Sequence, residues 1–136
     1  MPNSKGGWDG TEPYRIDPFP GEAGDYVAGA AVNWDATNNW FENPAAAATA
    51  AHARFVPNDQ TVDTDGDQLM LLTMGRCWVK CDAVMDIDTE VVTSDANIGN
   101  VRALNVGGGD TLDLVKGRML EPVDSTTEYF LMEIIP

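Results

Sequence analysis

The stretch of residues 75–95 constrains the fold of this chain more than any other. From Cys77 to Ala83, small or apolar side chains alternate with larger or charged ones, and this period of two is typical of a half-buried β-strand. After a break, Val91 and Val92 supply the β-branched content that favours a second strand. The sequence is therefore expected to build its fold around a pair of strands.

Further runs with strand character follow the same rules. They are separated by turns rich in Gly, Asn and Asp, and they lie at residues 26–35, 40–41, 69–73, 101–106, 112–119 and 129–135. Tyr26 to Asp35, with a return at Trp40 and Phe41, predicts a hairpin. About eight short, closely spaced strands predict a mainly β domain over residues 26–136, either a small β-barrel or a β-sandwich.

One segment predicts a helix inside this β domain. In the run NPAAAATAAHAR, Asn43 is a good N-cap, Pro44 suits the first helical position, and alanine has the highest helix propensity. Pro57 prevents the helix from continuing. We expect one short α-helix over residues 44–54.

Residues 1–25 contain four prolines and five glycines, a density that opposes regular structure. Their aromatic residues, Trp8, Tyr14 and Phe19, are isolated from one another. Isolated aromatics in a polar segment suit pockets on a partner. The sequence favours an extended N-terminal arm that contacts the domain or a neighbouring molecule, with a disordered tail as the alternative.

The charge balance excludes several partners. The chain has 22 acidic and 8 basic residues, a formal net charge of −14, and such a field repels nucleic acid and anionic membranes. Neither a secretory signal nor a run of about 20 apolar residues is present, so we expect no membrane association.

The acidity and the few lysines resemble those of proteins from halophilic organisms, in which molar salt screens the repulsion between acidic side chains. An ordinary acidic surface is the alternative.

The sequence offers weak candidates for metal binding and catalysis. Cys77 and Cys81 would lie about 13 Å apart on one strand, too far for a disulfide, so we expect two buried apolar residues. The acidic run of residues 58–68 fails the register of a helix-loop-helix calcium site, which leaves a solvated loop as the favoured interpretation. A loose cation site is the alternative; its candidate ligands are Asp63, Asp65 and Asp67.

No catalytic constellation can be assembled from the sequence. A serine hydrolase would use His52, the single histidine, and would require it to contact a serine or a carboxylate. The chain has three serines, and none has the context of a nucleophile elbow: Ser4, Ser94 and Ser125. We therefore expect a protein that is not an enzyme and has no cofactor.

Residues 25–136 contain an ordered series of strand and turn positions: Asp25 to Asp35, Gly75, Val79, Ala83, Met85, Asp88, Val91, Val92, Asp95, Gly99, Gly117, Arg118, Met119, Leu120 and Tyr129 to Ile134. From residue 75 onward, this order resembles that of the capsid decoration (cement) proteins of tailed viruses. The resemblance rests on arrangement. Asp88 stands where the family often has Gly-Asp.

The resemblance implies a structural protein of the virion, on the outer surface of the capsid, that stabilises the shell. Its implied partners are the major capsid protein and copies of itself, as a homotrimer. Trp8, Tyr14 and Phe19 are then candidate contacts with the capsid or a neighbouring copy. The alternative is a carbohydrate- or cation-binding β module, for which Trp34, Trp40 and Trp78 would supply stacking surfaces.

Overall fold

The computed structural model describes residues 3–135, which form three antiparallel β-sheets. The strands are β1 (Gly7–Trp8), β2 (Arg15–Pro20), β3 (Gly24–Tyr26), β4 (Ala31–Asp35), β5 (Trp40–Glu42), β6 (Ala53–Phe55), β7 (Gln60–Val62), β8 (Gln68–Met74), β9 (Arg76–Lys80), β10 (Glu90–Thr93), β11 (Val101–Ala103), β12 (Gly117–Met119) and β13 (Tyr129–Ile134). The only helical elements within residues 3–135 are two 3₁₀ turns, Val106–Gly108 and Leu112–Leu114. The prediction of a mainly β protein is confirmed.

The six-stranded sheet has the order β1-β9-β13-β12-β10-β11. Strand β9 is the predicted central strand, and its inward residues Cys77 and Val79, with Cys81 just beyond it, are fully buried. Ala83 lies past the end of the strand and is exposed. Strand β13 pairs with β9 along its length, with Phe130 opposite Val79.

The five-stranded sheet has the order β2-β8-β6-β4-β5, and β3 pairs with β7 in a separate two-stranded sheet. The predicted hairpin is present, because Trp34 of β4 lies opposite Phe41 of β5. Its first strand is shorter than predicted: residues 27–30 form no strand, and Tyr26 belongs to β3. Two isolated bridges connect distant strand ends. Gly21 bridges Phe41, and Cys81 bridges Val101.

Two apolar clusters form the core. The first draws on both large sheets, with Phe55 and Leu72 from one and Val79 and Phe130 from the other. The second covers the opposite face of the five-stranded sheet, where residues of the β3–β7 pair close over it; its members are Tyr26, Val32, Phe41, Val56, Val62, Leu69 and Leu71. The five-stranded sheet is therefore buried on both faces and forms the middle of the molecule.

The prediction of a helix over residues 44–54 is wrong. Residues 43–52 are irregular, and β6 begins at Ala53. Their backbone groups bond to side chains of other strands. The Ala50 N–H donates to Thr93 Oγ1 at 2.7 Å, and the Thr93 hydroxyl donates to the Ala48 carbonyl at 3.1 Å.

Two cationic side chains, one half-buried and one buried, also donate hydrogen bonds to residues of the segment 43–52. The Arg102 guanidinium donates to the Thr49 hydroxyl at 2.9 Å, and the Lys116 ammonium donates to the Ala51 carbonyl. These tertiary hydrogen bonds replace the i→i−4 bonds of a helix, and they overcome a propensity difference that is less than about 1 kcal/mol per residue.

The structure does not show residues 1–25 as a separate arm, because the described residues 3–25 pair with strands of the same domain. These residues form β1, β2 and part of β3, and Asn3 bridges Tyr129. Strand β2 pairs with β8 over six positions, from Arg15 with Met74 to Pro20 with Gln68. Pro18 and Pro20 are compatible with this strand because it lies at the edge of its sheet. Met1 and Pro2 lie outside the described residues.

The strand predicted over residues 112–119 is only partly present. Residues 112–114 form a 3₁₀ turn, and β12 covers Gly117–Met119. Between them the Lys116 N–H donates to the Val91 carbonyl at 2.8 Å. The alternation of TLDLVKGRML therefore reflects a strand only in its second half.

Candidate functional site

The strongest candidate for a binding site is a shallow, open depression of ≈ 350 Å³ on the five-stranded sheet. We call it the aromatic mouth. It is lined by Phe19, Trp34, Phe41, His52 and Arg54. Concave, mostly apolar sites with a few polar groups are the usual form of small-molecule sites in proteins.

The strand register explains how these side chains meet. Trp34 and Phe41 are cross-strand partners in β4 and β5. The backbone N–H of Trp34 donates to the backbone carbonyl of His52 at 3.0 Å. Arg54 lies opposite Val32 on the adjacent strand. Phe19 comes from β2, whose end is brought to β5 by the bridge between residues 21 and 41.

Three rings form a chain of edge-to-face contacts. The centroids of Phe19 and Phe41 are 5.1 Å apart, and those of Trp34 and Phe41 are also 5.1 Å apart. These are favourable geometries for aromatic pairs. Phe41 is buried, whereas Phe19 and Trp34 are half-buried, so two rings retain exposed surface.

The polar groups of the mouth complement these rings. Arg54 is half-buried, and its Nη1 donates to the Ala53 carbonyl at 3.1 Å. His52 is exposed. An arrangement of flat apolar surface beside hydrogen-bond donors can hold a ligand with an apolar face and polar edges, such as a sugar ring.

The three predicted contact residues of the N-terminal segment do not act as one surface. Trp8 and Tyr14 pack on each other with ring centroids 4.2 Å apart, and Trp8 also packs against the first core cluster. Phe19 belongs to the aromatic mouth. Because β2 is a paired strand, deleting residues 1–25 would remove core structure as well as these rings.

The three candidate cation ligands are exposed in the connection between β7 and β8. One carboxylate already has a structural role, because Asp65 Oδ1 accepts a hydrogen bond from the Ala23 N–H at 2.8 Å. Asp63 and Asp67 flank it. Within residues 3–135, no group of three or more His, Cys, Asp or Glu side chains is arranged to hold a metal ion.

The structure keeps His52 apart from the serines. His52 lines the aromatic mouth, whereas the Ser94 hydroxyl donates to the Asp82 carboxylate. The Ser125 hydroxyl contacts Thr127 at 3.1 Å. In the described part of the chain, no hydrogen bond joins His52 to a serine or to a carboxylate.

The two cysteines are free and buried. Burial raises the pKa of the Cys81 thiol to about 12 and raises that of Cys77 as well. A thiol that stays protonated at neutral pH is a poor nucleophile and a poor metal ligand. Both residues therefore act as small apolar side chains, as the sequence predicts.

A polar centre around Arg102 was not found by sequence reasoning. Arg102 contacts both oxygens of Asp110, at 2.6 and 3.0 Å, and its Nε contacts Asp95 at 3.0 Å. The hydrogen bonds from Arg102, followed by one from the Asn105 N–H, lower the pKa of Asp110 to about 2. This centre fixes the long connection between β11 and β12, and the only sequence signal for it is one arginine among several acids.

The other two tryptophans lie outside the aromatic mouth. Trp78 is half-buried on β9, where it pairs with Gly7 of β1 and Leu131 of β13. Trp40 is half-buried at the start of β5. Of the three tryptophans predicted as stacking surfaces, only Trp34 lines the mouth.

Comparison of the chain with models of protein families and with curated proteins finds no match. Among the described residues, no helix has the length and apolar character needed to span a membrane.

Proposed function

We propose that this chain is a structural protein that decorates and stabilises the outer surface of a tailed-virus capsid, in a halophilic host. The proposal rests on the arrangement of residues 25–136 that resembles decoration proteins. Its partners are the major capsid protein and further copies of the chain as a homotrimer. Many weak contacts on a repeating lattice give strong attachment through avidity.

The observation that carries the proposal is a set of exposed apolar side chains in two loops, which we call the loop patch. Its members are Val84 (69% exposed), Ile87 (52%), Val106 (65%) and Leu112 (70%). The first two lie between β9 and β10, and the others between β11 and β12. The Leu104 N–H donates to the Glu90 carbonyl at 2.9 Å, which joins the start of one loop to the end of the other.

Large apolar side chains on a strongly acidic surface need a physical reason. Burying a valine or leucine contributes about 1.5–3 kcal/mol, and exposed apolar side chains that adjoin one another mark contact sites for other proteins. A shell protein that covers the loop patch would recover this free energy. No catalytic group is needed for such a role.

Two bridges support the barrel that the strand count predicts as one of two architectures. Gly21, just after β2, bridges Phe41 of β5, and β2 and β5 are the two edge strands of the five-stranded sheet. Cys81, just after β9, bridges Val101, so the second strand of the six-stranded sheet contacts its far edge strand β11. Such contacts curl a sheet toward closure, which removes edges that would otherwise pair with other chains. We therefore propose that the two sheets form barrel-like units.

Co-sedimentation with capsids stripped of accessory proteins tests the function. In molar salt, we expect the wild-type protein to bind at a fixed ratio to the shell protein. The double variant Val84→Ser/Leu112→Ser should bind at least about tenfold more weakly, because two apolar contacts are lost. Val27→Ser is the matched control, since Val27 is 56% exposed on a different loop.

Two results would contradict the proposal. One is a wild-type protein that stays in the supernatant as a stable monomer. The other is equal weakening by the double variant and by the Val27→Ser control, which would show that the loop patch has no special role. Sedimentation of the free protein measures the oligomeric state in the same experiment.

A second candidate function, glycan binding, is favoured by the aromatic mouth. Trp34 and Phe19 present partly exposed rings beside the donors of Arg54. We expect a neutral glycan to bind saturably to the wild-type protein and not to Trp34→Ala, with Trp78→Phe as the control. If the Trp34→Ala variant keeps the full affinity, the mouth does not bind glycans.

A further inference from the structure

Two cations line a second cavity, and one of them, Arg54, also lines the aromatic mouth. This cavity, of ≈ 220 Å³, is lined by Arg54, Lys116 and Thr73, among others. We call it the cationic cavity. Its position is unexpected in a chain with 22 acidic and only 8 basic residues.

Neither cation makes an ion pair with a carboxylate in the described chain. Arg102, Arg118 and Arg15 form ion pairs with carboxylates, but within residues 3–135 no ion pair is made by Arg54 or Lys116. Asp113 also lines the cavity, but it is exposed and accepts a hydrogen bond from Thr111. The charge of Asp113 acts on Lys116, and Arg54 and Asp17 also attract each other. Neither carboxylate contacts its cation directly, so the two cations of the cavity remain open to direct contact with an anion.

Burial makes this pair of charges costly. Lys116 is 8% exposed, and burial followed by the nearby Arg54 charge lowers its pKa. A desolvated cation without a counter-ion is unfavourable, and a second cation beside it adds repulsion. An anion in the cavity would remove both penalties.

The cations also retain free hydrogen-bond donors. In the described chain, the Arg54 guanidinium makes one hydrogen bond, from Nη1 to Ala53, and its buried Nε has no partner. The Lys116 ammonium makes one, to Ala51. Guanidinium groups bind planar carboxylates through two parallel N–H donors, and an ammonium adds a point charge.

We propose that the cationic cavity binds a carboxylate, held between Arg54 and Lys116. The carboxylate belongs either to a small free acid or to a sugar acid whose ring extends into the aromatic mouth, since Arg54 lines both cavities. The first form is independent of any proposed function. The second rests on the glycan-binding candidate.

Titration at constant ionic strength, followed by NMR signals of the Arg54 side chain and by calorimetry, tests the proposal. The probes are sodium acetate, sodium glucuronate and neutral glucose. We expect saturable binding of acetate and glucuronate to the wild-type protein, and a loss of at least about tenfold in affinity in both Arg54→Gln and Lys116→Met. Arg76→Gln is the matched control, because Arg76 is an exposed arginine on β9 that makes no ion pair in the described chain.

The arms of the experiment separate the two sources of the carboxylate. If glucuronate binds the wild-type protein more tightly than acetate does, and the two affinities become equal in Trp34→Ala, the ligand is a sugar acid whose ring reaches the aromatic mouth. Equal affinities identify a small free acid. Binding of glucose alone would support the glycan candidate and overturn the carboxylate proposal.

Folding of the variants must be separated from binding, since Lys116 also holds Ala51. Near-ultraviolet circular dichroism reports whether each variant keeps the native packing. Carboxylate should raise the Tm of the wild-type protein and of Arg76→Gln but not that of Arg54→Gln, as expected for a ligand that binds only the folded state. A wild-type protein that binds neither acid, or a folded Arg54→Gln that binds both with full affinity, would overturn the proposal.

Discussion

At the scale of single residues, Gly29 occupies a position that no other residue type can take. Its φ is +86°, and a Cβ there would lie 2.4 Å from the Trp78 carbonyl oxygen and 2.8 Å from Gly6 Cα. Gly66 has a similar φ of +89° but open space around it. A substitution at Gly66 therefore tests backbone strain alone, whereas a substitution at Gly29 tests backbone strain together with steric contact.

We expect Gly66→Ala to cost about 1–2 kcal/mol, the penalty for a left-handed backbone. Gly29→Ala should cost on the order of 3 kcal/mol more, because backbone atoms cannot move away as a flexible side chain can. Urea denaturation of both variants measures the difference. Equal losses of stability would show that the contact with β9 is not rigid.

Glu42 is expected to make stability depend on pH. A hydrogen bond with the Glu22 carboxyl, followed by burial, raises the pKa of Glu42 above its usual 4.5. The folded state then binds more protons than the unfolded state, so the stability that Glu42 contributes is present below about pH 4.5 and is lost as the pH rises through the raised pKa.

The substitution Glu42→Gln removes the loss of stability that accompanies ionisation of Glu42. In dilute salt, we expect the variant to be more stable than the wild-type protein at neutral pH and to have no advantage below about pH 4.5. Urea denaturation across this range measures both effects. The exposed Glu128→Gln is the control, and a gain in Glu42→Gln that is the same at every pH would contradict the assignment.

Asp88 lies in the turn that precedes β10. It has a φ of +68°, a left-handed conformation that aspartate tolerates better than most residues other than glycine.

At the scale of elements, the alanine-rich segment depends on Thr93. The side chain of Thr93 is 3% exposed and bonds to both Ala48 and Ala50. Thr93→Val keeps the shape but removes both hydrogen bonds. We expect it to cost about 1–3 kcal/mol, because two partly buried hydrogen bonds are lost, each with a net contribution of about 0.5–1.5 kcal/mol.

Hydrogen exchange and limited proteolysis would locate this loss. Residues 45–52 should exchange faster and be cleaved sooner in Thr93→Val than in the wild-type protein. Thr127→Val, at an exposed threonine, is the control. If the segment instead gained helical content without loss of stability, the tertiary hydrogen bonds would not be what excludes the helix.

At the scale of the whole molecule, the net charge of −14 predicts a strong dependence on salt. The Debye length falls from about 10 Å at 0.1 M to about 3 Å at 1 M ionic strength, which screens repulsion among the exposed acids. We expect Tm to rise by more than about 4 °C over this range. Sucrose, which does not screen charge, is the control, and a Tm that does not change with NaCl would contradict the halophile interpretation.

The elements whose side-chain pattern is local could be predicted from the sequence. The alternation around β9, the hairpin of β4 and β5, and strands β8 and β13 follow from side-chain period and turn residues. The burial of Cys77 and Cys81 follows from the same alternation. In these segments the local preference and the tertiary environment agree.

The elements whose hydrogen-bond partners are distant in sequence could not be predicted, because their conformation depends on tertiary contacts. Residues 44–54 have the composition of a helix, but Thr93, Arg102 and Lys116 bond to residues 48–51. The Pro- and Gly-rich start of the chain forms β2 because the edge of β8 accepts it. The aromatic mouth joins residues between 19 and 54, and the cationic cavity joins residues between 51 and 135. Local preferences of about 1 kcal/mol or less per residue carry no information about such pairings.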